Sequence, residues 1–172
     1  APTENSGNAL QDNYYGERYL LSYTGNYNFN LDNSVVFGIE REDDQIGYNK
    51  DLSGQENKHN YVTSNFFDLQ SRISNNLYLT IGSRFDEHSI AGNEDSHRAT
   101  FAYLLNDKSL KIKSSYGTGF RFPSLYEMFF VYAANSKSLG NVKAENSKSF
   151  DLGFEKIFKD KNFNLEATYF NL

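Results

Sequence analysis

The glycines of SYGTGFRFPSLYEMFF, residues Ser115 to Phe130, have the residue type and spacing of the start of a phosphate-binding loop. Such a loop presents backbone N–H groups to phosphate oxygens. Here Phe122 occupies the place of a third glycine, and no P-loop lysine follows. We therefore interpret Gly117 and Gly119 as the point where a strand leaves a sheet, because Pro123 cannot donate to a strand ladder.

A short helix is predicted after this proline. Ser124 is a suitable N-cap, and Glu127 stands three positions later, which is the spacing of a capping box. The apolar residues that follow favour a helical turn over Leu125 to Phe130. The segment thus predicts strand, exit loop and helix in that order.

Metal ligands are the second chemistry to consider. The three histidines, His59, His88 and His97, show no short-range metal spacing, and we expect them to be solvated in loops. The acidic side chains lack the ordered oxygen spacing of a calcium loop, so solvated loops are the simpler interpretation. These carboxylates are Glu42, Asp43, Asp44, Asp86, Glu87, Glu94 and Asp95.

Catalysis has little support. The chain has no cysteine, hence no thiol nucleophile. An outer-membrane lipase would need a Ser/His pair on a lipid-facing strand, and the sequence singles out none. The 17 basic against 22 acidic residues give no basic surface for nucleic acid. We expect neither an enzyme, nor a cofactor, nor a nucleic-acid partner.

Aromatic residues are abundant: 13 Tyr and 15 Phe occur in 172 residues. Mean hydropathy is only −0.67, and no apolar run approaches the roughly 18 residues of a membrane helix. Transmembrane strands alternate apolar and polar residues, so they give a weak hydropathy signal. The composition is therefore compatible with an outer-membrane barrel.

Period-two alternation predicts the strands that carry these aromatic residues. From Tyr19 to Phe29 every second residue is apolar or glycine, and the intervening residues from Ser22 onward are polar. Similar runs recur seven times, which predicts about eight strands. They begin near Val35, Tyr61, Leu77, Phe101, Leu110, Phe150 and Phe163.

The links between the runs distinguish two all-β folds. Short polar links are predicted at 30–33, 74–76, 106–108 and 159–162, and long ones at 43–58, 88–96 and 120–146. A soluble or surface-exposed β-sandwich that acts as a binding module also gives period-two strands. Alternating short and long links are typical of outer-membrane barrels, and aromatic pairs at strand ends, such as Tyr27 with Phe29, favour the same fold.

The faces follow from the same alternation. We predict that one set of side chains points to lipid and that a charged set faces the lumen. The lipid-facing set is Leu21, Tyr23, Leu79, Ile81, Ile112, Phe154 and Leu165. The lumen-facing set is Arg72, Arg84, Lys111, Lys113 and Asp151.

Three segments resemble the β-barrel domain of TonB-dependent outer-membrane receptors. They are LTIGSRFDEHS (79–89), SYGTGFRFPSLYEMFF (115–130) and LGNVKAENSKSFDLGFEK (139–156). Phe122 and Ala144 depart from the family, which usually has alanine and proline there. The residues that match its motifs are Tyr116, Gly117, Gly119, Phe120, Arg121, Pro123, Leu125, Tyr126, Glu127, Gly140, Asn141, Glu145, Ser147 and Gly153.

The resemblance implies a partial antiparallel transmembrane β-barrel, with residues 1–172 as a fragment of a larger plugged barrel. No plug domain is found in this sequence, and both termini look like cut ends. The implied location is the outer membrane of a Gram-negative bacterium. The implied partners are outer-membrane lipid, a TonB-type energy-coupling protein acting through the plug, and a scarce metal-chelate ligand.

The ligand is the least determined feature. The segments 84–88 and 117–127 most resemble the cobalamin-transporter branch, with iron-siderophore receptors next. Tyr126, Tyr132 and Asn135 are candidate ligand contacts in the outward loop, but rim packing or an aromatic girdle is the role favoured for each, because such belts are common. A passive porin-like barrel is the remaining transport hypothesis.

Overall fold

Eight strands form one antiparallel sheet in the computed structural model, which describes residues 13–50, 54–105, 108–132, 143–158 and 162–172. Each strand pairs with the next along the chain. The strands are β1 Asn13–Asn28, β2 Asn33–Lys50, β3 Gly54–Arg72, β4 Leu77–His88, β5 Gly92–Leu105, β6 Leu110–Arg121, β7 Glu145–Phe158 and β8 Phe163–Asn171. This meander confirms the predicted partial barrel wall of about eight strands. The described residues form no second sheet, so the β-sandwich alternative is wrong.

The pairing register divides the side chains between two faces, because residues directly opposite in a ladder point the same way. All seven residues of the predicted lipid-facing set share one face, which we call the apolar face; Ile81, for example, lies between Leu69 and Ala99. The five residues of the charged set share the opposite, polar face, where Lys113 is paired with Gly153. The predicted division of faces is confirmed.

The apolar face is not buried within the chain. Leu21 is 76% exposed and Tyr23 63% exposed. Among the described residues only two hydrophobic side chains are buried, Leu125 and Met128, and both belong to the short helix after β6. A one-layer sheet with an uncovered apolar face is what a barrel wall presents to lipid.

No helix among the described residues combines the length and the apolar character needed to cross a membrane.

Two of the three predicted long links are wrong. β2 continues to Lys50 and β3 begins at Gly54, while β4 and β5 are separated only by Ser89 to Ala91. The acidic residues placed in loops by the sequence therefore lie in paired strands. The ladder needs only backbone groups, so it continues where side chains on both faces are polar and the period-two pattern is lost.

The short links have the predicted turn chemistry. Asn30 accepts a hydrogen bond from the backbone N–H of Asp32 at 2.8 Å. Lys108 and Asn162 have positive φ angles of 65° and 46°, a conformation that is common in tight turns between strands. Tyr27 packs edge-to-face against Phe29 beside the first of these turns, with ring centroids 5.1 Å apart.

Candidate functional site

The candidate site is a cavity of about 560 Å³ on the polar face, at the edge where β4 turns into β5 and β6 ends. We call this the outer edge. One wall comes from the ends of β1 to β4, and the other from residues 122–126. The lining side chains used below are Tyr14, Arg18, Glu42, Asp44, Asn60, His88, Phe122, Leu125 and Tyr126.

The second wall is held by the predicted capping box. The Ser124 backbone N–H donates to Glu127 Oε2 at 2.8 Å, and the Glu127 N–H donates to Ser124 Oγ at 3.2 Å. Helical backbone begins at Leu125, and a π-helix continues over Glu127–Tyr132. The helix start is as predicted, although most of the helix is π rather than α.

Arg121, the last residue of β6, joins three segments. Its guanidinium donates to Glu127 at 2.9 and 3.1 Å and to Glu145, the first residue of β7, at 3.3 and 3.4 Å. The hydrogen bond from Arg121, followed by that from the Ser124 backbone, lowers the pKa of Glu127 to about 2. The strand exit, the helix start and β7 are therefore tied together by charge.

Aromatic side chains line the upper part of the cavity. Tyr126 is half-exposed, and its ring meets that of Tyr14 edge-on, with centroids 6.2 Å apart. Behind it, Leu125 and Met128 pack against Ile46 and Ile90. Tyr126 was predicted as a ligand contact and does line the cavity. The side chain of Tyr132 and the whole of Asn135 lie outside the described residues.

The floor of the cavity has two carboxylates, Glu42 and Asp44, and one guanidinium, that of Arg18. Arg18 forms a bidentate pair with Asp44, at 2.6 and 3.1 Å, and lies 3.6 Å from Glu42. One carboxylate is thus fully paired and the second only loosely. Both carboxylates, Glu42 and Asp44, lie on the polar face, where the β1–β2 ladder sets them opposite Leu20 and Arg18.

His88 is buried at the base of the cavity, with 4% of its surface exposed. Its Nδ1 accepts the backbone N–H groups of Ile90 and Ala91, each at 3.0 Å, and its Nε2 lies 3.0 Å from the Asn60 amide. The ring packs on Phe122 at 4.7 Å. The prediction of a solvated loop histidine is wrong for His88, because β4 continues to this residue and places it on the polar face, against Asn60 and Phe122.

Below the cavity, a polar network with buried Ser64 and Asp86 and partly exposed Arg84 and Glu40 crosses three strands. Asp86 accepts from Ser64 at 2.5 Å and from Arg84 at 3.0 Å, and Arg84 also pairs with Glu40 at 2.7 Å. Buried charges are stable only when paired and hydrogen-bonded in this way. The network fixes the polar face and leaves Arg84 committed to structural partners.

The carboxylates considered for calcium do not converge. The strand alternation sends Glu42 and Asp44 to one face and Asp43 to the other. Within the described ranges, no three acidic or histidine side chains come close enough to hold a metal ion. They are strand residues rather than the loop residues predicted.

A Ser/His/Asp constellation that sequence reasoning missed lies on the apolar face. Ser83 Oγ is 2.9 Å from His97 Nδ1, and Asp95 Oδ2 is 2.6 Å from His97 Nε2. Ser83 pairs with both neighbouring strands in regular ladders, so its backbone N–H is not free to stabilise an oxyanion. We therefore interpret it as a polar contact between β4 and β5. His97 is half-exposed and His59 exposed, as predicted, but both lie in strands rather than in the predicted loops.

The family-motif glycines belong to strands, not to a phosphate loop. Gly117 and Gly119 are paired with Ser149 and Ser147 inside β6 and β7, and β6 leaves the sheet only after Arg121. The predicted exit point at the glycines is therefore two residues early. Gly140 and Asn141 lie outside the described residues.

The family model described as "TonB dependent receptor-like, beta-barrel" matches residues 2–172. The chain belongs to this receptor family. A search of curated proteins finds no match.

Solved structures show the same fold. The siderophore receptor PirA of Acinetobacter baumannii aligns with a TM-score of 0.73 and 18% identity, over 92% of this chain and 27% of its own. The ferric enterobactin receptor of Pseudomonas aeruginosa aligns with a TM-score of 0.78 and 18% identity, over 91% and 27%. The copper transporter OprC aligns with a TM-score of 0.64 and 14% identity, over 85% and 29%. The TonB-dependent receptor chain thus spans about a quarter of the length of the structures it matches.

Proposed function

We propose that this chain is part of the wall of an outer-membrane receptor that imports a metal-containing ligand. The observation that carries the proposal is the match to the receptor-barrel family over residues 2–172. The uncovered apolar face, with Leu21 76% exposed, suits contact with membrane lipid. We place the receptor in the outer membrane of a Gram-negative bacterium.

The ligand is proposed to be a metal chelate, either an iron–siderophore or cobalamin. The siderophore option is supported by the names of the similar solved structures, which include receptors for siderophores and a copper transporter. The cobalamin option rests only on the motifs at 84–88 and 117–127. Those motifs form ladders, a buried network and a helix cap, so they bear little on ligand choice.

Energy coupling is proposed to come from a TonB-type protein acting through a plug domain. A passive porin-like barrel is the second transport hypothesis, and it needs neither coupling nor a ligand site. The cavity favours the receptor, because a ligand pocket has a few polar groups beside aromatic walls. Tyr14, Tyr126 and Arg18 supply such groups here.

Growth of a deletion strain tests the function. We expect the strain to fail on either cobalamin or a ferric siderophore supplied as the sole source, and to recover with the intact gene. Recovery that persists after the coupling protein is also deleted would favour the passive barrel. Normal growth of the single deletion on both compounds would refute the import proposal.

Tyr126 tests the site within that function. In the full-length receptor, Tyr126→Ala should weaken binding of the imported chelate about two- to ten-fold, because an aromatic contact contributes about 0.5–1.5 kcal/mol beyond its buried area. Tyr116→Ala is the matched control, since Tyr116 is a half-exposed tyrosine on the apolar face. Equal affinity in the wild type and Tyr126→Ala would remove Tyr126 from the site. Tyr132 and Asn135 remain proposed contacts.

A further inference from the structure

We propose that His88 is an acid-sensitive latch that holds the two walls of the outer cavity together and releases them when its ring is protonated. The inference adds a mode of regulation to the site of the proposed function and rests on that function for its biological meaning. The latch itself rests on hydrogen bonds and packing that are independent of any ligand.

The hydrogen bonds fix the proton on one ring nitrogen. Nδ1 accepts two backbone N–H groups, from Ile90 and Ala91 at 3.0 Å each, so it carries no proton. A neutral imidazole then has its proton on Nε2, where it is a donor. Asn60 Nδ2 lies 3.0 Å from Nε2, and two donors cannot share that contact, so we assign the Asn60 amide the reversed orientation, with its oxygen accepting from Nε2–H.

The same ring joins both walls. Through Nδ1 it holds the turn between β4 and β5, which carries Ile90 into contact with the buried Leu125 and Met128. Its face packs against Phe122, the first residue after β6, at 4.7 Å. Releasing His88 therefore loosens the turn and the Phe122–Leu125 wall together.

Protonation is incompatible with this arrangement. A proton on Nδ1 would face two N–H donors, and the charged ring would be buried with 4% exposure. Burial lowers the pKa of His88, and the opposing attraction of the Asp44 carboxylate, which is paired with Arg18, is the smaller effect. Asp86 is paired with Arg84. Charged groups on the surrounding elements of the polar face include Arg18, Glu42, Asp44, Lys58, Arg84, Asp86, Glu94, Arg121 and Glu127.

When the two cavity walls separate, the released His88 ring is solvated and can take up a proton near the ordinary histidine pKa of about 6.5. The opened population should therefore rise as the pH falls below that value, by up to about ten-fold per pH unit. Above it, the latch should be closed and insensitive to pH.

Two substitutions separate the roles of the ring nitrogens. His88→Asn keeps an acceptor near the Nδ1 position, where an asparagine oxygen can bind backbone N–H groups two residues on, and it cannot be protonated. His88→Gln reaches toward Asn60 instead and leaves the turn donors without their acceptor. His59→Asn is the control, because His59 is exposed and belongs to the other face.

Hydrogen–deuterium exchange of the ligand-free, full-length receptor tests the latch. Rates in peptides 86–93 and 120–129 are compared between variants at the same pH, which cancels the intrinsic pH dependence of exchange. At pH 5 we expect these peptides to exchange about ten-fold faster in the wild type and in His59→Asn than in His88→Asn, and at pH 8 we expect equal rates. His88→Gln should exchange fast at both values.

Equal rates in the wild type and His88→Asn at pH 5 would overturn the latch, as would loss of the acid response in His59→Asn. The measurement contains no ligand, so it fails only if the latch is wrong. Failure of the import proposal appears separately, in the growth experiment.

Discussion

At the scale of single residues, Arg121 and Glu127 show how a charge pair can shape a loop. The pair is partly exposed, with 56% and 32% of the two side chains accessible, and exposed ion pairs contribute little to stability by themselves. Its effect is local and geometric: it directs the chain leaving β6 into the cap formed by Ser124. The wall of the cavity follows from that direction.

Glu127 should titrate near pH 2 rather than near its ordinary value of 4.5. Because its pKa is lowered in the folded state, its contribution to the helix start is complete above about pH 4.5 and is lost as the pH falls toward 2. NMR of the labelled carboxyl group in the full-length receptor would measure the midpoint. Arg121→Gln should raise it toward 4.5, and an unchanged midpoint in that variant would contradict the assigned cause.

Ser124→Ala probes the same cap without changing charge. Loss of the hydroxyl acceptor for the Glu127 N–H, 3.2 Å away, should destabilise the helix start by about 0.5–2 kcal/mol. Hydrogen exchange of residues 125–128 would report it. Ser96→Ala, on the polar face of β5, is the control and should leave those amides unchanged. Equal protection in both variants would mean that the cap does not hold this wall.

At the scale of the elements, close strand contacts explain a motif glycine. A β-carbon at Gly153 would lie 2.7 Å from Thr168 Oγ1 and 3.0 Å from the Ala167 carbonyl oxygen, so Gly153→Val should disrupt pairing of β7 with β8. Gly16→Ala is the control, since its nearest atom would be 3.7 Å away. Heat-modifiability on gels measures barrel folding. Folding of both variants at the wild-type level would refute the steric role.

The strands and their faces could be predicted because a strand with one apolar face has apolar residues at every second position. The extensions of β2 and β3 could not be predicted, since Asp43, Asp44 and their neighbours pair through the backbone without any apolar alternation. In the site, Ser124 and Glu127 were found from their spacing. His88 was missed because Nδ1 accepts from backbone N–H groups, which leave no mark in the sequence, and because Asn60 and Phe122 come to it from distant strands.

Strand topology predicts which sites are accessible from outside. Protease added to intact cells should cut near Lys50 and Lys137 and should spare Lys108 and Lys159, which belong to the short links of the opposite edge. Lys58, first predicted as a loop site, is paired with Ile46 inside β3 and should be cut slowly. Mass spectrometry of the released fragments would identify the sites. Cleavage at Lys108 and Lys159 from outside would reverse the topology.

At the scale of the whole molecule, the residues that the structure describes form too small a core to account for stability. Only Leu125 and Met128 are buried hydrophobic residues in the part that the structure describes, while large apolar side chains are exposed along the apolar face. The described sheet is held by its ladders and by ion pairs on the polar face, such as Lys113 with Glu166. Its apolar face is suited to a lipid solvent, in which exposed apolar side chains carry no penalty.

If the apolar face contacts lipid, the two faces must differ in how well they tolerate a new charged side chain. Leu79→Arg should destabilise the full-length receptor in lipid vesicles by about 2–4 kcal/mol if residue 79 lies near the midplane, because the arginine would face hydrocarbon. Gln70→Arg, on the polar face and one residue from the direct partner of Leu79, is the matched control and should change stability little. Denaturant titration of vesicle-bound receptor measures both. An equal or larger loss of stability for Gln70→Arg would mean that the polar face, rather than the apolar face, contacts the membrane.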